Sequence, residues 1–324
     1  MTSTDETPLT ADEFSDRVLA VLAATAVAPA AGRAPAPNAP DGGSSLQLYL
    51  MDGLLEALEW ANDGVGSDEA ACMWLAGLRW YRLATGGFPP GAPEPQPRWI
   101  DREFGALAVR GIAPADPQDL VGLAHADMGS VGRPHLPAAD GPGVLARAAV
   151  CALLPRVTRA TTAKLATDAA ALTHGAADAT AAAARAAILV RDALAGSDAA
   201  SDADDRSGGS ADGAWESLRA AVSAVAAAGE LLRERPAGSA ERETATPGPA
   251  ETRPAPAGGH AAALFDAATR PLALSGRPAA AAFAGALVAA AHGTAALPED
   301  WEARTASAGV MRERARRGRR VTFG

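Results

Sequence analysis

The sequence predicts an all-α protein, and three observations carry that expectation. Hydrophobic residues make up 48% of the chain but aromatics only 4%, so the apolar content is largely alanine. Alanine is the best helix former and a poor strand former. Segment after segment spaces its larger apolar residues three or four apart, as one helix face requires, and period-two runs of β-branched residues are missing from the pattern.

The first helix is expected over about 10–25, opened by Thr10 with Glu13 three residues on, the spacing of a capping box. Residues 32–45 are rich in Pro, Gly, Ala and Asn and read as loop. Residues 46–60 place Leu48, Met51, Leu55 and Leu58 at helical spacing. Ser67 with Asp68 and Glu69 opens the next helix, whose buried stripe is expected to be Trp74, Leu78 and Tyr81. Pro89, Pro90, Pro93, Pro95 and Pro97 then mark a stiff surface crossing.

A weakly periodic stretch runs to about Pro142, with short helices near 101–110 and 116–124, and helical patterns resume at 143–154, 159–173 and 176–195. Segments 196–213 and 235–259 lack large apolar side chains to offset the entropy of ordering, and both are expected to be disordered. Between them an amphipathic helix carries Trp215, Leu218, Val222 and Val225 on one face. A last helical block covers about 260–293. Residues 312–324 form a basic tail of six arginines from Arg312 to Arg320, expected to be a solvated, frayed end. The whole of 1–324 is expected to form one domain.

A net charge of −9 argues against nucleic acid and against anionic membranes as partners. The apolar run Val18–Val27 follows Asp5, Glu6, Asp12, Glu13 and Asp16, the wrong sign for a secretory leader. The apolar run of the 278–291 helix is expected to be too short and too alanine-dependent to span a bilayer. Cys72 and Cys151 sit in helical patterns without metal-ligand spacing and are expected to be packing thiols in a reducing cytoplasm.

Four segments in order resemble the ADP-ribosylglycohydrolase family, of the dinitrogenase-reductase-activating type. They are Tyr49–Gly64 running on through Ala70–Leu75 to Tyr81, Gly141-Pro142-Gly143-Val144-Leu145-Ala146-Arg147, Leu172-Thr173-His174-Gly175, and Phe283–Val288 with Leu297-Pro298-Glu299-Asp300-Trp301. The resemblance implies an ADP-ribosylglycohydrolase-like helical bundle. It also implies a binuclear magnesium centre and cleavage of ADP-ribose from modified side chains.

The departures from the family pattern fall on the metal motifs. Where the resemblance calls for Gly-Asp-Ala-x-Gly the chain has Ala28-Pro29-Ala30-Ala31-Gly32. Where it calls for Thr-Asp-Asp-Thr the chain has Asp41-Gly42-Gly43-Ser44, keeping one carboxylate. In place of Asp-x-Asp-x-Thr stands Gly276-Arg277-Pro278-Ala279-Ala280, and no acid occurs from Ala267 to Pro298. Magnesium takes oxygen ligands, with carboxylates to offset its charge. The expectation is therefore a silent family member with no cofactor, acting by binding ADP-ribose, a nucleotide or an ADP-ribosylated protein. The alternatives are an active ADP-ribosylhydrolase with a rebuilt centre and a purely interacting scaffold.

Candidate ligand-binding residues are Gly141 and Gly143, whose turn opens a helix and offers backbone N–H groups to an anion, together with Arg147 and the surviving Asp41. Other chemistry-bearing groups have plainer readings. Asp52, Glu56 and Glu59 share a helix face and are expected to be a solvated flank. His125, His135, Asp127 and Asp140 lack tight ligand spacing. His174 and His292 are expected to be hydrogen-bonded packing residues.

Overall fold

Side-chain caps decide where five of the described helices begin. A computed structural model describes residues 9–32, 40–108, 112, 116–197, 213–234 and 259–324. Among these lie α1 Ala11–Val27, α2 Gly42–Asn62, α3 Glu69–Thr85, α4 Trp99–Leu107, α5 Pro117–Leu123 and α6 Val144–Cys151. The remainder are α7 Arg159–Ala171, α8 Ala177–Leu194, α9 Ala214–Glu234, α10 Gly259–Leu274, α11 Pro278–His292 and α12 Ala308–Phe323. No strand occurs among the described residues beyond an isolated bridge between Ser130 and Arg133. The all-α expectation holds.

The capping box at α1 is present: Glu13 N donates to Thr10 Oγ1 at 3.3 Å and Thr10 N donates to Glu13 Oε2 at 2.9 Å. The expected loop over 32–45 ends early, because Asp41 Oδ2 accepts from Ser44 N at 2.7 Å and starts α2 at Gly42. Residues 33–39 of that loop lie outside the described residues. Asp68 caps α3, accepting from Ala70 N at 2.9 Å and Ala71 N at 3.2 Å. The buried face of α3 is Met73, Gly77 and Trp80, with Leu78 beside it, while Trp74 and Tyr81 are only part-buried. The buried face is rotated from the expected stripe because the small Gly77, and not an aromatic, lets Leu123 approach.

The expected block over 260–293 is two helices. Gly276 at φ +80° breaks the chain and Pro278 opens α11 at its first turn. From Ala280 to Ala290 every residue of α11 is buried. A helix apolar all round belongs in a core, and α11 packs against α1, α6, α8, α9 and α10. Alanine permits this close approach: a Cβ on Gly285 would stand 3.0 Å from Ala28 Cβ and from Phe265. By length and composition the 19 residues Pro278–Ala296 do reach a membrane span, contrary to the length argument from sequence, but 72% of that stretch is buried against the rest of the chain.

The acidic stripe of α2 is not a solvated flank. Asp52 is fully buried and accepts from Arg98 Nε at 2.7 Å, Trp99 Nε1 at 2.8 Å and Arg79 Nη2 at 3.0 Å. Glu59 meets Arg98 Nη2 at 3.0 Å and Glu56 meets Arg98 Nη1 at 3.5 Å, completing an ion network that ties α2, α3 and α4 together. Helical spacing puts the three acids on one face, but only tertiary structure says what that face meets.

The arginine tail is likewise a docked helix and not a frayed end. Arg314 in α12 is buried and donates to Met51 O at 3.0 Å. Arg317 lies 4.7 Å over the Trp99 ring, and Asn62 Nδ2 donates to Val321 O at 2.7 Å. Of the two segments expected to be disordered, 198–212 and 235–258 lie outside the described residues. Gly196 and Ser197 follow α8 in a hydrogen-bonded turn, with Ser197 N donating to Asp192 O at 2.9 Å.

Candidate functional site

A cavity of about 300 Å³ opens where the N-termini of α2, α5, α6 and α11 meet the 3₁₀ turn Ala28–Ala30. Its walls bring together the three departed motifs: Pro29 from the first, Asp41, Gly43 and Ser44 from the second, and Pro278 and Ala279 from the third. Of the candidate ligand residues, Asp41, Gly143 and Arg147 line this cavity. Gly141 sits one layer back, where a Cβ would stand 2.4 Å from Asp116 Oδ2 and 2.7 Å from His174 Nε2. Its N–H donates to Gln118 Oε1 at 3.3 Å. The turn read from sequence as an anion seat is thus packed by the chain's own Asp116, His174 and Gln118.

Three lining residues escaped sequence reading: Gln47, Asp116 and Asp119. Asp116 is the cap of α5, its Oδ1 accepting from Gln118 N at 3.0 Å ahead of Pro117. That Asp-Pro signature was legible as a helix start but carries no mark of a site. Gln47 and Asp119 sit among apolar helix positions, and nothing local distinguishes them.

Arg147 organises the cavity's inner wall. It is 2% exposed, and its Nη1 lies 2.8 Å from Asp119 Oδ1 and 2.6 Å from Thr173 Oγ1, while Nη2 lies 3.1 Å from His174 Nδ1. A guanidinium can only donate, so His174 Nδ1 accepts. The ring proton therefore rests on Nε2, directed at Asp116 Oδ2 at 3.3 Å. His174 is thereby held through both ring nitrogens in the turn after α7.

Burial pushes the Asp119 carboxyl above its ordinary value, against the pull of Arg147 and His174. Asp116 moves the other way. Burial acts to raise it, but the hydrogen bonds from His174 and Gln118 N–H together with the charge of Arg147 prevail, and its carboxyl lies below the usual range.

Thr25 Oγ1 lies 2.7 Å from Gln47 Oε1 and 2.9 Å from Leu22 O. Gln47 is 1% exposed, and its Nε2 has no partner among the described residues. Read the amide either way round, one of its ends remains unpaired. Arg147 Nε is a second buried donor without a partner there.

The family's magnesium pair does not fit these residues. Asp41 is engaged in capping α2, Asp116 in capping α5 and holding His174, and Asp119 in pairing Arg147. Among the described residues no group of three His, Cys, Asp or Glu side chains converges as an ion requires. The Arg147 guanidinium in the same wall opposes a dication further. The His125, His135, Asp127 and Asp140 set is not assembled either: the two rings stack with centroids 3.9 Å apart and His135 Nε2 lies 2.9 Å from Asp127 O. Thiol chemistry is equally disfavoured, since burial pushes Cys151 up to about 12 and Cys72 up to about 11.

The comparisons with known proteins bear on the family and the fold. The sequence model of the family described as ADP-ribosylglycohydrolase matches residues 10–322. A solved structure titled "ADP-ribosylglycohydrolase-related protein complex" superposes with a TM-score of 0.52 at 20% identity, over 96% of this chain and 100% of that one. At that identity the likeness speaks for the fold. No curated protein matches the chain significantly. With the family model spanning nearly every described residue, from the cap of α1 to the end of α12, the chain belongs to the ADP-ribosylglycohydrolase family.

Proposed function

We propose that this protein is a catalytically silent family member that works by binding an ADP-ribosyl group, free or on a modified protein, in the cavity between α2, α5, α6 and α11. The observation that carries this reading is the state of the carboxylates. Hydrolysis on this scaffold needs acids free to position metal-held phosphates and a nucleophilic water. Here Asp119 is neutralised by Arg147, Asp116 holds His174, and Pro278-Ala279 stands where the third acidic motif belongs. A buried, unpaired amide and a buried, unpaired guanidinium N–H are what a binding pocket retains when its chemistry is gone. The unpaired thiols Cys72 and Cys151 favour a reducing, cytoplasmic setting.

One observation favours a second reading. Asp116 is part-exposed in the cavity wall and ionised at neutral pH, so a hydrolase with a rebuilt centre would have it as its base. Incubation with an ADP-ribosylarginine substrate and magnesium separates the two. The silent reading expects release of ADP-ribose at the no-protein rate; release that a chelator abolishes overturns it.

A further inference from the structure

We infer that a second cleft, between the C-terminal ends of α8, α9 and α11 and the N-terminal part of α10, binds a small monocarboxylate with an aliphatic body. It shares no lining residue with the cavity at α2, α5, α6 and α11, so the inference stands whatever that cavity takes.

The cleft exists because side chains in its walls are too small to close it. Its volume is about 570 Å³, within the range of small-molecule sites, and Ala193, Ala226, Gly229 and Ala291 stand in the walls. Gly229 is the most informative of these. A glycine inside a helix is less stable than an alanine, and the preceding Ala226, Ala227 and Ala228 show alanine in use on the same helix. Neither usual reason for a glycine applies here. A Cβ at 229 would meet nothing nearer than Arg233 Nη2 at 3.9 Å, an ordinary contact. The backbone there is helical and not left-handed, so alanine would fit it. What the missing Cβ leaves is open room in the cleft.

The lining joins an aliphatic surface to a group of donors. Val225, Leu264, Leu287 and Val288 supply the first. The exposed side chains of Arg233, His260 and His292 supply the second, and Glu230 is the only carboxylate among the described lining residues. Arg233 Nε donates to Gly229 O at 3.2 Å, which folds the guanidinium back beside the gap. Burial holds the His292 imidazole below its usual value, and the charges of Arg17 and His260 lower it further, so positive charge gathers at that end.

An aliphatic acid matches both halves. Its carboxylate accepts from the guanidinium and the imidazole N–H groups, and its chain covers the aliphatic lining. An ammonium in the same place meets Arg17, Arg233 and two imidazoles with Glu230 alone in its favour. A metal ion is no better served, because among the described residues no three His, Cys, Asp or Glu side chains converge on one point.

The test is calorimetric titration of the full chain with octanoate, octanol and octylamine. The expected result is a single octanoate bound per chain, octanol about tenfold weaker, and no binding of octylamine. Gly229→Leu puts a side chain into the gap and is expected to abolish octanoate binding while melting no lower than the parent protein. Gly229→Ala, too short to close the gap, is expected to melt higher and to bind as before. Arg233→Gln is expected to weaken octanoate about tenfold and leave octanol unchanged. Glu230→Gln removes the opposing charge and is expected to tighten octanoate. If Gly229→Leu melts lower, the Arg233 and Glu230 variants carry the test. Four results overturn the inference: no octanoate bound, octanol or octylamine bound as tightly, unchanged octanoate affinity in a folded Gly229→Leu protein, or weaker octanoate binding in Glu230→Gln.

Discussion

Arg147 Nη1 stands 2.8 Å from Asp119 Oδ1 in the wall of the cavity, with both side chains almost sealed from water. Removing one partner of such a pair strands the other as a buried charge, whereas replacing both with apolar groups of similar volume is far milder. Asp119→Asn should therefore cost about 3–5 kcal/mol in urea denaturation. The double variant Asp119→Leu with Arg147→Met should recover most of that loss. Equal loss in both would show that the stranded charge of Arg147 is not what costs.

The pH dependence of stability separates the two aspartates at α5. The Asp116 carboxyl is held below its unfolded value, near 3.9. Its contribution is full above that value and is lost as pH falls through the lower folded one. Asp116→Asn should flatten the acid limb of the stability profile below about pH 4. Asp119, raised by burial, acts with the opposite sign: its contribution is full at low pH and fades as pH rises through its folded value. Chemical denaturation at a series of pH values reads both.

Asp52 and Arg314 are both buried charges, yet their replacement should differ. Asp52 has three donors, so Asp52→Ala leaves Trp99 Nε1 without its acceptor and takes from Arg79 and Arg98 their closest carboxylate, and should cost about 3–5 kcal/mol. Arg314 makes one bond, to Met51 O, and its Nε and Nη1 have no partner among the described residues. Burial pulls its guanidinium down to about 10. Arg314→Met should change stability by less than about 1 kcal/mol, or raise it. Differential scanning calorimetry of the two variants makes the comparison.

Gly53 marks the closest approach of α2 to α3: a Cβ there would stand 2.5 Å from Cys72 O and 2.8 Å from Cys72 C. Both are backbone atoms and cannot swing away. Gly53→Ala should cost about 1–3 kcal/mol through overpacking, measured by urea denaturation. Gly66→Ala, with nothing within 4 Å, is the matched control and should be close to neutral.

Much of this fold was legible in the sequence because its signals are local. The Thr10–Glu13 box starts α1 where expected, and the apolar spacing places α7, α8 and α9 within a few residues of their observed bounds. The three departed motifs, far apart in sequence, were expected to surround one position, and Pro29, Asp41 and Pro278 do line one cavity. What stayed hidden depends on tertiary partners. Asp52 reads as surface until Arg98 and Trp99 are folded onto it. Arg314 sits in a charge run typical of solvent, and its acceptor, Met51 O, lies 263 positions away. Gln47 gives no sign in a helical pattern that one end of its amide is left unpaired.

On the proposed function, this cavity has lost its metal pair. Titration with Mn²⁺, followed by the electron paramagnetic resonance of the free ion, tests it directly. The predicted result is that the protein removes no more free Mn²⁺ than a variant carrying Asp41→Asn and Asp116→Asn. Uptake of about two ions per chain that this double variant abolishes would contradict it.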